Sequence, residues 1–171
     1  MASRYPYLGD EWMREYFFKR RIIVKVGRST INAKLIDAQQ GLYELQEDFL
    51  YSIRYRGNTY EFNIPAGFFT NFASVPRWAW KFFHPTDNEM LVASCVHDFV
   101  LNEFNQDWLP RVVCVDGVEV PICTIDGFTA ADLFFFSLSQ EGSYNLPVRQ
   151  FLRMCVKGFY FCTLRGWIPI K

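Results

Sequence analysis

Apolar and polar residues alternate through much of the first half of the chain, and helical spacing takes over in the second. Ile22 to Val26 is β-branched and apolar and ends at Gly27, which predicts a strand. From Leu50 to Tyr55 the aromatic and branched residues Tyr51, Ile53 and Tyr55 share one face. Gly57-Asn58 is a turn signal, and Tyr60, Phe62 and Ile64 alternate on the returning segment. Together these predict a β-hairpin. Pro65, Gly67, Pro76 and Pro85 then punctuate a long structured loop region.

The second half reads as helices with one inserted hairpin. Thr86 followed by Glu89 has capping-box spacing and predicts a helix start there. The helix runs through Met90–Leu101 and is apolar nearly all round, so most of its faces should be buried. Val112–Val115 and Val118–Ile122 flank Asp116-Gly117, a second hairpin signal within Arg111–Cys123. Thr129 followed by Asp132 again has capping-box spacing and should open a helix to about Gln140, with Gly142 at its C-terminal cap. A last helix should start near Asn145-Leu146-Pro147. Its stripe of Val148, Phe151, Leu152, Cys155, Val156 and Phe159 is expected to face inward, leaving Arg149, Arg153 and Lys157 on the wet face. The expected fold is α+β: a β-rich N-terminal half of hairpins packed on about three helices, with an inserted β-hairpin near 111–123. Without repeats or linkers, residues 1–171 read as a single domain.

Half of the 171 residues are hydrophobic, enough for a core without disulfide staples. Lys plus Arg and Asp plus Glu are 18 each, and this balance argues against a broad nucleic-acid surface. The short run Lys19-Arg20-Arg21 reads as a solvated strand edge. Five cysteines, at 95, 114, 123, 155 and 162, contain no C-x-x-C pair, so neither a zinc ribbon nor a redox pair is indicated. Cys95, Cys155 and Cys162 stand among apolar residues and are expected to be small buried hydrophobes. Cys114 should face Glu119 across the second hairpin, out of register for a bond to Cys123. No apolar run has the length of a membrane span, and Arg4, Asp10, Glu11, Arg14 and Glu15 interrupt any signal-peptide core. A soluble protein made in a reducing cytoplasm is expected. Residues 1–20 are rich in aromatics (Tyr5, Tyr7, Trp12, Tyr16, Phe17 and Phe18), which suits docking on the chain's own core or an interface arm toward a partner.

Three places carry candidate chemistry. Thr70, Asn71 and Ser74 lie in a polar stretch before Pro76, where each can bond to backbone and hold a tight loop or bind a ligand. His97-Asp98 lies within the buried helix, where a polar pair needs partners. Asp132 lies at a capping-box position, which would explain a carboxylate there without any chemistry. His97, Asp98 and Asp132 are expected to come together from two helices. They are the candidates for catalysis, and with His84 they form the set a metal would use if one were bound.

Residues 60–77, His97-Asp98 and Thr129–Phe134 resemble a phage-associated family, domain-of-unknown-function family 1353, over roughly residues 50–165. The family pattern V-P-x-G-F-x-T-D-x-A-S-x-P, then H-D, then A-D reads here as Ile64 to Pro76, His97-Asp98 and Ala131-Asp132. The chain departs from it at Asn71, which replaces an aspartate, and in the hairpin at Arg111–Cys123, which looks inserted. The resemblance implies a phage or prophage origin, often among late or tail-region genes, and no established activity. Two readings follow. One is a phage structural or assembly component without a cofactor, contacting other phage proteins through residues 1–20 or the 111–123 hairpin. It would be present in the host cytoplasm during synthesis, with the virion as its destination. The other is a metal-dependent hydrolase built on the His/Asp/Asp set. A nucleophilic enzyme using Ser74 ranks behind both, because no strand-turn-helix elbow surrounds that serine.

Overall fold

The computed structural model describes residues 21–27, 29–38, 40–72, 88–101, 106, 111–141 and 145–164. Among the described residues, eight strands form two antiparallel four-stranded sheets. The first sheet orders β1 (Arg21–Val26), β2 (Ser29–Asp37), β3 (Leu42–Leu45) and β6 (Phe69–Thr70) side by side. The second orders β4 (Phe49–Tyr55), β5 (Asn58–Ile64), β7 (Val112–Val115) and β8 (Val118–Pro121). Three α-helices among the described residues follow or interleave with these strands: α1 (Asn88–Leu101), α2 (Gly127–Gln140) and α3 (Leu146–Leu164). The α+β class and the β-rich first half are therefore as expected. Sequence periodicity did not point to β2 and β3. In β2, polar Asn32 is buried beside Ile31 and Ala33, so the strand shows no clean alternation. Asn32 is satisfied there by accepting from Arg21 Nε at 3.2 Å and donating to Glu47 Oε1 at 2.7 Å.

The predicted hairpin is β4–β5, and β4 buries every second side chain, Phe49, Tyr51, Ile53 and Tyr55. Its turn lies one residue earlier than Gly57-Asn58. Tyr55 pairs with Asn58, so Arg56 and Gly57 are the turn residues, with φ of 51° and 88°. Left-handed φ at both positions is the type I′ pattern, which matches strand twist and favours glycine second. Asp116-Gly117, with φ of 50° and 84°, repeats the geometry between β7 and β8.

The 111–123 hairpin is part of the sheet and not an appendage. β7 pairs with β5 through Tyr60↔Val115 and Glu61↔Cys114. Asp116 donates its N–H to the Thr59 carbonyl at 2.9 Å and accepts from Thr59 N–H at 2.8 Å. Val113 is buried in the main core. Cys114 faces Glu119, as the turn position requires. Cys95, Cys114, Cys123 and Cys155 are all free thiols.

α1 runs through the centre, with Leu91, Val92, Cys95, Val96, Phe99 and Val100 in one core with both sheets. Its expected start at Thr86 and the expected cap at Gly142 lie outside the described residues. Met90 and Ala93 on α1 join Phe134 and Leu138 on α2 and Leu152 on α3 in a second, helix-only core. α2 starts earlier than the Thr129/Asp132 spacing predicts. Its N-cap is Asp126, whose carboxylate accepts from Thr129 N–H at 2.7 Å. Asp132 is therefore a helix-interior residue and caps nothing.

The orientation of α3 also differs from the expectation. Leu152 is buried and Val148 and Val156 pack on the helix core, but Phe151 and Cys155 are exposed. Arg153 and Lys157, expected on the wet face, turn toward α2 instead. The side chains of Phe159 and Cys162 lie outside the described residues. Among the described residues no helix is long and apolar enough to cross a membrane.

Candidate functional site

The loop after β6 is fastened to α1 by a chain of short bonds. Gln106 first replaces a missing strand partner: its Oε1 accepts from Phe69 N–H at 2.7 Å and its Nε2 donates to the Phe69 carbonyl at 2.9 Å. This fixes the residue just before Thr70. Thr70 Oγ1 then donates to Asp98 Oδ2 at 2.6 Å, a buried charge-assisted bond. The same Oγ1 accepts from Phe72 N–H at 2.9 Å. Phe72 is held at φ 58°, a strained conformation for a bulky residue, while its ring is buried against Tyr43 at 5.3 Å. Asn71 is buried between Thr70 and Phe72.

On α1, the other Asp98 oxygen, Oδ1, lies 3.5 Å from His97 Nδ1. The His97 ring meets the Phe134 ring edge-on at 5.8 Å, and its Nε2 is buried without a hydrogen-bond partner among the described residues. Cys95, one turn before Asp98, is fully buried. Burial and the nearby Asp98 charge push its thiol well above the ordinary range, so it is an inert core residue. Ser74 and His84 lie outside the described residues.

Asp132 is the hub of a second polar unit. Tyr55 OH donates to its Oδ2 at 2.7 Å, while Arg153 Nε at 2.7 Å and Lys157 Nζ at 2.6 Å both meet its Oδ1. Burial pushes the carboxyl upward, but the bonds from Arg153, Lys157 and Tyr55 outweigh that and hold it down at about 2. Burial, reinforced by Asp132, pushes the Tyr55 hydroxyl up to about 12, so the tyrosine is a permanent donor at neutral pH. Arg153 also stacks over the Phe135 ring at 5.3 Å, and Arg56 over Tyr55 at 5.1 Å.

The expected grouping of His97, Asp98 and Asp132 thus separates into two units. His97 and Asp98 belong to the loop–α1 unit and Asp132 to the β4–α2–α3 unit. Among the described residues no three His, Cys, Asp or Glu side chains are placed to hold one metal ion. The reason is helical geometry. Phe134, which meets His97, lies two residues from Asp132 and so projects from nearly the opposite side of α2.

Residues 43–153 match the model of a family described as "Protein of unknown function (DUF1353)". The chain belongs to this family. The DUF1353 match takes in the Thr70 loop, the His97-Asp98 pair, the β7–β8 hairpin, Asp132 and Arg153. No curated protein and no solved structure matches the chain. Three residues of the two polar units, Gln106, Tyr55 and Arg153, were not read from the sequence as site residues. Tyr55 read as a core residue and Arg153 as a solvated one. A surface-type residue four positions before Lys157 on a helix with no carboxylate is the one hint that the two cations share a distant partner.

Proposed function

We propose that this DUF1353 chain is a phage-encoded structural or assembly component associated with a tail or virion. The phage origin rests on the family resemblance. The assembly role rests on one observation: three polar residues of the family pattern, Thr70, Asp98 and Asp132, bond inward and hold elements of the fold together. Thr70 and Asp98 tie the loop to α1, and Asp132 ties β4 and α3 to α2. Residues of this kind make a rigid block whose surface does the work. The contacts would be other phage proteins, met through residues 1–20 or the 111–123 hairpin, with synthesis in the host cytoplasm. Mass spectrometry of purified particles should find the chain in fixed stoichiometry. Its absence from particles of a phage that encodes and expresses it would remove the assembly role.

The metal-dependent hydrolase is a second reading because the buried Nε2 of His97 has no hydrogen-bond partner among the described residues. A neutral imidazole with one nitrogen oriented by a carboxylate is a common ligand arrangement. On the assembly reading, zinc or manganese leaves the melting temperature unchanged, in wild type and in Asn71→Asp alike. A metal-dependent rise in melting that His97→Ala erases would favour the hydrolase.

A further inference from the structure

The outer edge of β4 opens into a cleft of about 610 Å³. Gly27 and Ser29 of the β1–β2 turn form one wall, and Gln140 and Glu141 at the C-terminal end of α2 form the other. Along this edge Leu50 donates its N–H to Ser29 Oγ at 3.0 Å, and the Ser52 carbonyl accepts from Gln140 Nε2 at 2.9 Å. The N–H and C=O of one strand residue point to the same side, so the Leu50 carbonyl and the Ser52 N–H also face the cleft. Neither has a partner among the described residues.

These two groups, an acceptor and a donor, bracket a single residue of an incoming strand. A segment running parallel to β4 satisfies both, because one of its residues donates to the Leu50 carbonyl and accepts from the Ser52 N–H. An antiparallel segment would need both groups of Leu50 or both of Ser52. One of each pair is already engaged, by Ser29 or by Gln140. The opposite edge of the sheet is less open. There β8 is four residues long and ends in Pro121, which has no N–H and whose carbonyl accepts from Thr124 Oγ1 at 2.7 Å.

Charge selects the occupant. The described lining holds two carboxylates, Glu61 and Glu141, and no cation. Glu61 stands directly across from Ser52. Glu141 is the C-cap of α2, where the helix's own partial charge is negative and no basic residue occupies the last turn. Tyr51 OH donates to Glu141 Oε1 at 3.1 Å, which orients the carboxylate without neutralising it. We infer that the β4 edge is a strand-addition site for an extended segment of another protein that carries a lysine or arginine. The segment pairs in parallel with Leu50 and Ser52 and sets its cation against Glu61 and Glu141. Leu50, 59% exposed, gives it an apolar contact. This goes beyond the assembly reading and does not depend on it.

Amide hydrogen exchange of the full chain, followed by nuclear magnetic resonance, tests the site. In the free protein the Ser52 N–H should exchange fast, whereas Tyr51 and Ile53, which bond to β5, should be protected. A capped, extended valine/threonine peptide with a central lysine should slow exchange at Ser52, and its dissociation constant should rise with salt. The lysine fixes the frame of the peptide. Of two versions N-methylated at odd or at even residues, one should therefore bind at least about tenfold more weakly than the other. Glu141→Gln keeps the Tyr51 bond and drops the charge; it should weaken binding several-fold with the melting temperature unchanged. The proposal is overturned if the Ser52 N–H is already protected in the free chain, since another part of the same chain would then fill the edge. Protection that needs only a higher concentration of the chain itself overturns it too. So does equal binding by a glutamate peptide, by both N-methylated versions, or by lysine amide alone. Particle composition, measured separately, decides the assembly role; exchange at Ser52 decides the edge.

Discussion

Asp132 shows how a single carboxylate can join three elements. Two cations from α3 and a hydroxyl from β4 converge on a side chain of α2. Its folded value of about 2 lies below the ordinary value of about 3.9, so folding favours the ionised form. The resulting stability is fully present above pH ~4 and is lost as pH falls toward 2. The shift alone corresponds to at most about 2.5 kcal/mol, and solvent access to the part-exposed Arg153 and Lys157 reduces this to about 1 kcal/mol. Tyr55→Phe removes a donor that helps to hold the value down. Urea denaturation at pH 7 should show that variant about 1–2 kcal/mol less stable, a gap that narrows as pH falls toward 2 and Asp132 of the wild type protonates. Thr70→Val tests the other unit. It strips Asp98 of a buried donor and frees Phe72 N–H, and should cost about 1–3 kcal/mol. Neither unit was legible as a unit, because bonding partners such as Tyr55 and Asp132 are 77 residues apart.

At the scale of elements, short-range signals worked where local chemistry is decisive. Asp116-Gly117 specified its turn, Asn145-Leu146-Pro147 marked the start of α3, and the alternation of β4 marked a one-sided strand. They failed by small offsets where two local solutions compete. Gly57 takes the second turn position and not the first, so Arg56 adopts the left-handed conformation. At α2, Thr129 and Asp132 have capping-box spacing, yet Asp126 caps and Thr129 donates to it. Asp126→Ala should therefore lower stability by about 1 kcal/mol in thermal or chemical denaturation. Thr129→Val should cost less, because the bond that caps the helix comes from the backbone N–H of residue 129. The reverse order would restore Thr129 as the cap.

For the whole molecule, the β7–β8 hairpin, expected near residues 111–123, supplies two strands of the second sheet. Val113 lies in the main core and Asp116 bonds both ways to Thr59. Replacing residues 112–121 with a flexible Gly/Ser loop should collapse the cooperative melt; a detachable appendage would leave it intact.

Local pattern determined the class of fold, most of the strands and helices, the capping and turn chemistry of several, and membership of the family. These properties depend on residues within a few positions of one another. Tertiary structure alone decided which way α3 faces, that Arg153 and Lys157 turn to Asp132, that Gln106 completes β6, and that the polar residues form two units. Each of those outcomes depends on a contact between distant segments. On α3 the apolar stripe Val148-Leu152-Val156 and the adjacent stripe through Phe151 and Cys155 were both available for burial. The buried charge of Asp132, which needs its cations, selected the first.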